Sequence, residues 1–156
     1  MGTTGAGKTT IGTMLGAQLN WRFADADTFH PAANIEKMSH GIPLNDADRA
    51  PWLEAMRKAI LDWIADGKNV VLACSALKRA YREQLRPSPE VKIIYLKGDY
   101  VLFAERIRHR HGHFAGQGIL AGQFADLEEP DDAITIDAAK TPDEIVGEIR
   151  KRLALS

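Results

Sequence analysis

The chain has 156 residues, of which 45% are hydrophobic and 26% are charged, and its formal net charge is −1. These values are typical of a soluble globular protein, and we expect one compact domain over residues 1–156. The near-neutral charge argues against bulk attraction to nucleic acid or to an anionic membrane. Cys74 is the only cysteine, which excludes a disulfide framework and a cysteine-based metal site. With neither a signal peptide nor an apolar run of about 18 residues, we expect a cytoplasmic protein.

Strand and helix patterns alternate along the chain. The Gly-rich segment 111–122 predicts a loop, and Thr141-Pro142-Asp143-Glu144 predicts a helix start with Thr141 as N-cap. Strands that alternate with helices indicate an α/β protein with a parallel sheet between two helical layers. The periodicity predicts helices over 8–19, 30–41, 46–66, 78–85, 100–110 and from 142 onward, and strands over 21–27, 68–74, 91–97 and 133–137.

The stretch GTTGAGKT is a complete phosphate-binding loop of the pattern G-x-x-x-x-G-K-[ST]. Its glycines let backbone N–H groups turn toward a phosphate at the start of the following helix. In such a loop Lys8 reaches the β- and γ-phosphates, and the hydroxyl of Thr9 binds Mg²⁺. The residues that we expect to contact ATP are Gly2, Thr3, Thr4, Gly5, Ala6, Gly7, Lys8, Thr9 and Thr10.

The class of nucleotide-binding protein can be narrowed further. A GTPase of the common type needs an N-K-x-D stretch that selects guanine, and this sequence has none. A multidomain motor ATPase needs a longer chain. The sequence therefore predicts a small kinase that transfers a phosphoryl group.

Two aspartates, Asp25 and Asp27, stand at the end of the predicted strand 21–27. Residues two apart on a strand share a face, and ligands of open α/β sheets bind at the carboxyl ends of the strands. One carboxylate could support Mg²⁺ and the other could hold the acceptor hydroxyl and take its proton. The same spacing is also typical of a solvated strand end with a turn-forming aspartate.

Five blocks of sequence carry a resemblance that spans the chain. They are DADTFHPAANIEKMSHGIPLNDADRAPWLEAM (25–56), CSALKRAYREQLR (74–86), IYLKGD (94–99), RHGHF (110–114) and QFADLEEP (123–130). In this order they resemble the gluconate kinases of the thermoresistant gluconokinase type, which are P-loop kinases. The resemblance implies ATP-dependent phosphorylation of D-gluconate at its 6-hydroxyl, a shikimate-kinase-like fold, Mg²⁺, a mobile lid and a homodimer. By similarity to shikimate kinases, Asp27 is assigned to the acceptor hydroxyl and Asp25 to the Mg²⁺ environment.

Gluconate carries a carboxylate, so its recognition calls for at least one arginine or lysine. Arg49, Lys78 and Arg82 are the candidates. Arg82 could instead be a solvated surface charge, and Arg49 could form a structural salt bridge with Asp46 or Asp48. Lys78 starts a helix beside the expected site.

Two further polar residues are candidates for contact with the hydroxyls of the substrate. His30 follows the aspartates closely and could bind a hydroxyl, or it could cap the helix that begins at Pro31. Ser75 follows the strand 68–74 at the edge where ligands bind, and could offer its hydroxyl to the substrate or to a metal-bound water.

The segment 106–124 combines cations with glycines and is predicted to be a lid. Lids of small-molecule kinases bring arginines onto the transferring phosphate and exclude water. Arg106 and Arg110 lie four residues apart on one helix face, so we assign Arg106 to the nucleotide and Arg110 to catalysis. By the resemblance, His113 and Gln123 are placed near the substrate in the closed state.

Only Met1 precedes the phosphate-binding loop, although such a loop normally follows a buried strand. Five buried apolar residues at about 1.5–3 kcal/mol each would contribute about 8–15 kcal/mol, which rivals the total stability of a domain. We therefore expect a gap or a substituted strand in the sheet, and we expect Met1 to be an internal methionine of a longer polypeptide. The alternatives left open are a kinase for shikimate or another polyol acid, and a catalytically inactive nucleotide-binding protein.

Overall fold

A computed structural model of the protein describes residues 1–111 and 117–155. The predicted helices and strands are present, most of them with ends shifted by one to three residues. Thr141 caps the last helix as predicted, because its hydroxyl accepts a hydrogen bond from the backbone N–H of Glu144. The helices are α1 (Lys8–Leu19), α2 (Ala32–Ser39), α3 (Asp46–Ala65), α4 (Arg79–Leu85), α5 (Tyr100–His111), α6 (Gln117–Asp126) and α7 (Pro142–Arg152). The strands are β1 (Arg22–Asp25), β2 (Val70–Ala73), β3 (Ile94–Lys97) and β4 (Ile134–Asp137), and a 3₁₀ helix spans Ala26–Phe29.

The strands pair in parallel, as predicted, but in two separate pairs. β1 pairs with β2, and β3 pairs with β4. Met1 and Gly2 lie between the pairs: the N–H of Leu96 donates to the carbonyl of Met1 at 3.0 Å, and the N–H of Gly2 donates to the carbonyl of Ser75 at 3.2 Å. These two residues thus occupy the carboxyl end of a strand position between β2 and β3.

Next to Met1, an open cleft of about 530 Å³ continues between the two strand pairs. Apolar side chains from both pairs and from α1 line it, among them Ile11, Leu72 and Leu96. The gap predicted from the sequence is therefore confirmed. The expectation that Met1 is internal to a longer polypeptide stays a prediction.

The buried side chains form two clusters, one on each side of the phosphate-binding loop. The first joins α1, α5 and α7 to β3 and β4, and its fully buried members include Phe103, Leu120 and Ile136. The second joins α3 and α4 around Trp52 and Met56. Ala6 of the loop belongs to the first cluster, which anchors the loop in the core.

Two local predictions are wrong: that the first strand continues to residue 27, and that residues 117–122 belong to a loop. The strand β1 ends at Asp25, because the Asp25 carboxylate accepts a hydrogen bond from the N–H of Asp27 at 2.9 Å and caps a 3₁₀ helix that contains Asp27. The second concerns the predicted loop over 111–122. Its part from residue 117 onward is helical, because Leu120 is fully buried and Phe124 packs on Phe103 with ring centroids 6.1 Å apart.

Candidate active site

The phosphate-binding loop turns sharply into α1. Gly5 and Gly7 adopt φ values of +82° and +95°, which lie in the left-handed region that disfavours residues with a Cβ. A Cβ on Gly5 would also come within 3.1 Å of Phe103. Gly7 is the N-cap of α1, so the loop delivers its backbone to the positive end of the helix dipole.

Lys8 lies inside this turn, where its ammonium donates a hydrogen bond to the carbonyl of Thr3 at 2.9 Å. Burial lowers the pKa of Lys8, while the nearby Cys74, Asp27 and Asp25 act in the opposite direction. Both carboxylates therefore favour the charged form of Lys8. Asp25 ends β1, and Asp27 follows it directly in the 3₁₀ helix.

Thr9 and Asp25 are the residues that we predicted for Mg²⁺. Thr9 is exposed in the first turn of α1, and Asp25 is half-buried at the end of β1. A hydroxyl and a carboxylate are hard oxygen donors, and Mg²⁺ commonly binds through few protein ligands together with phosphates and waters. Within residues 1–111 and 117–155, no group of three or more His, Cys, Asp or Glu side chains forms a metal cluster. The donor set at Thr9 and Asp25 fits an ion held mainly by nucleotide and water.

His30 stands beside the aspartates with its ring stacked on Trp52. The ring centroids are 4.5 Å apart and the planes differ by 9°. The indole N–H of Trp52 donates to the carbonyl of Ala26 at 2.7 Å, which fixes the platform under the histidine. The alternative role of His30 as a helix cap is not found, because Pro31 occupies the N-cap position of α2 and α2 has no side-chain cap.

Arg49 and Lys78 converge on the carboxylate of Asp46. The Lys78 ammonium lies 3.1 Å from Asp46 Oδ1, and the Arg49 guanidinium lies 4.0 Å from the same atom. The Tyr81 hydroxyl also donates to Asp46 and accepts from Arg49 at 3.1 Å. The hydrogen bond from Tyr81, followed by that from Lys78, holds the pKa of Asp46 below its usual value. The salt bridge of Arg49 with Asp46 is therefore present, and Arg49, Lys78 and Tyr81 together bind or surround this carboxylate.

Tyr81 was missed by the sequence analysis. Its ring lies under both cations, with the Arg49 guanidinium 5.8 Å and the Lys78 ammonium 5.6 Å from the ring centroid. Tyr81 follows Lys78 by three residues, and residues at this spacing share a helix face. The sequence could therefore have indicated that the two side chains lie together.

Arg82 is buried rather than solvated. Its guanidinium donates to the carbonyls of Ala76 and Leu77, both at 2.9 Å, and to the carbonyl of Glu128 at 2.7 Å. It therefore ties the loop after β2 to the segment after α6. Ser75, at the start of that loop, is half-buried and bonds through its carbonyl to Gly2.

Two residues of the predicted lid contact the phosphate-binding loop. The Arg106 guanidinium donates to the carbonyl of Gly5 at 3.2 Å and also to the carbonyl of Ala138. The Gln123 side-chain oxygen accepts from the N–H of Thr4 at 2.6 Å. Arg110 is exposed one turn further along α5. The fourth predicted lid residue, His113, lies outside the described residues.

These features define a class of protein. A glycine-rich loop at the start of a helix, a lysine inside the loop and nearby carboxylates at the strand ends are the parts of a P-loop small-molecule kinase. None of the helices in the described part of the chain is long and apolar enough to cross a membrane.

Comparisons with known proteins narrow this class. The shikimate kinase family profile matches residues 4–154. Gluconokinase from Gluconobacter oxydans is 42% identical over 153 residues, which cover 96% of this chain and 86% of that protein. Thermoresistant gluconokinase from Escherichia coli is 44% identical over 131 residues, covering 83% of this chain and 75% of that protein. The chain therefore belongs to the gluconokinases within the shikimate kinase family.

Solved structures agree with this assignment. The crystal structure of a gluconokinase from Sinorhizobium meliloti matches with a TM-score of 0.87 and 40% identity, covering 99% of this chain and 89% of that one. A shikimate kinase from Acinetobacter baumannii, at 18% identity and a TM-score of 0.57, shares the fold.

Proposed function

We propose that this protein transfers the γ-phosphoryl group of ATP to the 6-hydroxyl of D-gluconate and forms 6-phosphogluconate and ADP. The observation that carries the proposal is the position of the carboxylate-binding cluster. It lies beside the segment that carries Asp27 and His30, because Trp52, three residues after Arg49 on α3, donates to the carbonyl of Ala26 and stacks on the ring of His30. A substrate with a carboxylate at one end and a hydroxyl at the other matches this arrangement. The gluconokinase relatives support the same choice of substrate.

On the nucleotide side, the loop from Gly2 to Thr10 binds the phosphates of ATP. Lys8 leaves its contact with the Thr3 carbonyl and neutralises charge on the β- and γ-phosphates. Thr9 and Asp25 would hold Mg²⁺, which would offset the negative charge of the phosphates when bound. Arg106 already contacts the loop carbonyl of Gly5 and is assigned to the nucleotide.

On the acceptor side, Asp27 holds the 6-hydroxyl and receives its proton as the phosphoryl group is transferred. His30 and Ser75 contact hydroxyls along the sugar acid. Arg49 and Lys78 bind the substrate carboxylate, and Asp46 releases the two cations to the substrate in the process. Arg82 does not bind the substrate in this proposal, because its guanidinium donates to three backbone carbonyls.

Residues 106–124 act as the lid. Closure brings Arg110 to the transferring phosphoryl group and His113 and Gln123 to the substrate, and it keeps water from competing with the acceptor hydroxyl. The bond between Gln123 and Thr4 N–H then has to be exchanged for contacts with the ligands. We further propose a homodimer in the cytoplasm that binds neither nucleic acid nor membrane.

The proposal is tested with a coupled assay of ADP release on a panel of gluconate, shikimate and other polyol acids. We expect turnover with gluconate and none above background with shikimate. Lys8→Ala should abolish turnover, whereas Lys58→Ala, at an exposed position on α3, should leave the rate unchanged.

Two results would contradict the proposal. A folded, ATP-binding sample without gluconate-dependent turnover would exclude gluconokinase activity and favour the inactive nucleotide-binding protein. A preference for another acid on the panel would keep the kinase and reassign its substrate.

A further inference from the structure

Asn34 is a buried polar residue on α2 that no part of the proposed reaction uses, with an exposed fraction of 3%. Its amide nitrogen Nδ2 donates a hydrogen bond of 2.8 Å to the backbone carbonyl of Asp48. A carbonyl can only accept, so this contact settles the orientation of the amide and places its nitrogen toward α3.

The same nitrogen faces the ring of His30, with 3.2 Å between Asn34 Nδ2 and His30 Nδ1. An amide nitrogen is a donor and not an acceptor, so Nδ1 has to accept this hydrogen bond. A neutral imidazole that accepts at Nδ1 carries its proton on Nε2. The stacking on Trp52 fixes the plane of the ring, so the direction of Nε2–H is set as well.

We propose that Asn34 is a positioning residue that holds His30 as a neutral imidazole with its proton on Nε2, so that His30 donates a hydrogen bond to a hydroxyl oxygen of the substrate and leaves proton abstraction to Asp27. The role of His30 toward gluconate rests on the function proposed above. The state of the ring does not, because it follows from contacts within the protein.

The surroundings of His30 already favour the neutral ring, so the contact with Asn34 decides which ring nitrogen carries the proton. Asp27 favours the charged form and Arg49 opposes it, while burial is the largest influence and lowers the pKa of His30. The negative charge of Asp48 is balanced by an ion pair, since its carboxylate lies 2.9 Å from the Lys37 ammonium. An imidazolium would in addition point its Nδ1–H at the N–H of Asn34, with two donors facing each other.

The first test is made on the unmodified full chain without substrate. Long-range ¹H–¹⁵N correlation spectra distinguish a protonated from an unprotonated ring nitrogen at each histidine, and His30→Gln identifies the His30 signals. At neutral pH we expect an unprotonated Nδ1 and a protonated Nε2. A proton on Nδ1, or on both nitrogens, would overturn the proposal whatever the activity of the enzyme.

The second test replaces the donor by an acceptor of the same size, Asn34→Asp. The new carboxylate should draw a proton onto His30 Nδ1, which the same spectra report. We expect kcat/KM for gluconate to fall about tenfold, as for the loss of one well-aligned hydrogen bond, with the KM for ATP changed less than about twofold. Asn69→Asp makes the same change at an exposed position just before β2 and serves as the matched control.

The outcomes separate the two proposals. An unchanged tautomer in Asn34→Asp, or equal losses toward ATP and gluconate, would refute the positioning role. If the unmodified protein has its His30 proton on Nε2 but shows no gluconate turnover, the proposed substrate is refuted. The role of Asn34 in fixing the tautomer of His30 is then still supported. If Asn34→Asp does not fold, as judged by circular dichroism, the spectra of the unmodified protein decide.

Discussion

Replacing Arg82 by alanine distinguishes a structural role for this arginine from the substrate contact that its sequence position indicates. The guanidinium makes three hydrogen bonds to backbone carbonyls at 2.7–2.9 Å. A hydrogen bond with a charged donor contributes about 1.5 kcal/mol at the low end of its range, so Arg82→Ala should lower the free energy of unfolding by about 4–5 kcal/mol. This is a large part of the roughly 5–15 kcal/mol that stabilises a domain.

The assay is urea denaturation followed by tryptophan fluorescence, together with steady-state kinetics. Arg82→Lys keeps the charge but has one donor nitrogen where the guanidinium uses two, so it should recover only part of the loss. Arg79→Ala is the matched control, because Arg79 is exposed on the same helix and pairs with the exposed Glu83, an interaction of about 0.5 kcal/mol. If Arg82→Ala costs under about 1 kcal/mol and raises the KM for gluconate tenfold or more, Arg82 is a substrate ligand and the reasoning fails.

Two further predictions concern Asp27 and Cys74. Asp27→Asn should reduce kcat by at least about 100-fold, since general-base catalysis contributes about that much. The Kd for ATP, measured by titration calorimetry, should change little. If kcat and ATP affinity fell by equal factors, Asp27 would be a metal ligand and not the base. Burial raises the pKa of Cys74 from 9.0 to about 11, so the folded state resists loss of the thiol proton. The stability that this provides is complete below about pH 9 and should fall by about 2–3 kcal/mol as the pH rises to 11. In urea titrations, the loss of stability over this range should be larger by that amount in the unmodified protein than in Cys74→Ala.

Much of the fold could be predicted because its signals are local. The phosphate-binding loop is a contiguous pattern, and α1 and α7 begin at the residues where the glycines and the Thr-Pro cap place them. The gap between β2 and β3 was also predictable, since a loop of this type follows a central strand and Met1 alone stands before it.

The errors arose where one specific contact, local or distant in sequence, outweighs the pattern of residue types. Asp27 reads as the end of a strand, but the Asp25 side chain captures its N–H and turns the backbone. The glycines of 117–122 indicate a loop, yet burial of Leu120 against the first core cluster stabilises a helix there. From the sequence, Arg82 is either a substrate ligand or a surface charge. Its three backbone acceptors become visible only in the tertiary structure, where two distant segments meet around it.

The sequence by itself indicated the class of chemistry, because Gly2–Thr9 matches the complete phosphate-binding pattern and the family blocks follow it in order. It also determined the candidates for substrate recognition, since carboxylate binding demands cations and few are available near the strand ends. Tertiary structure alone decided which of them share a site. Arg49, Lys78 and Tyr81 come together on one carboxylate, and Asn34 meets His30 and α3, because helices packed against one core bring side chains from distant segments to within hydrogen-bonding range.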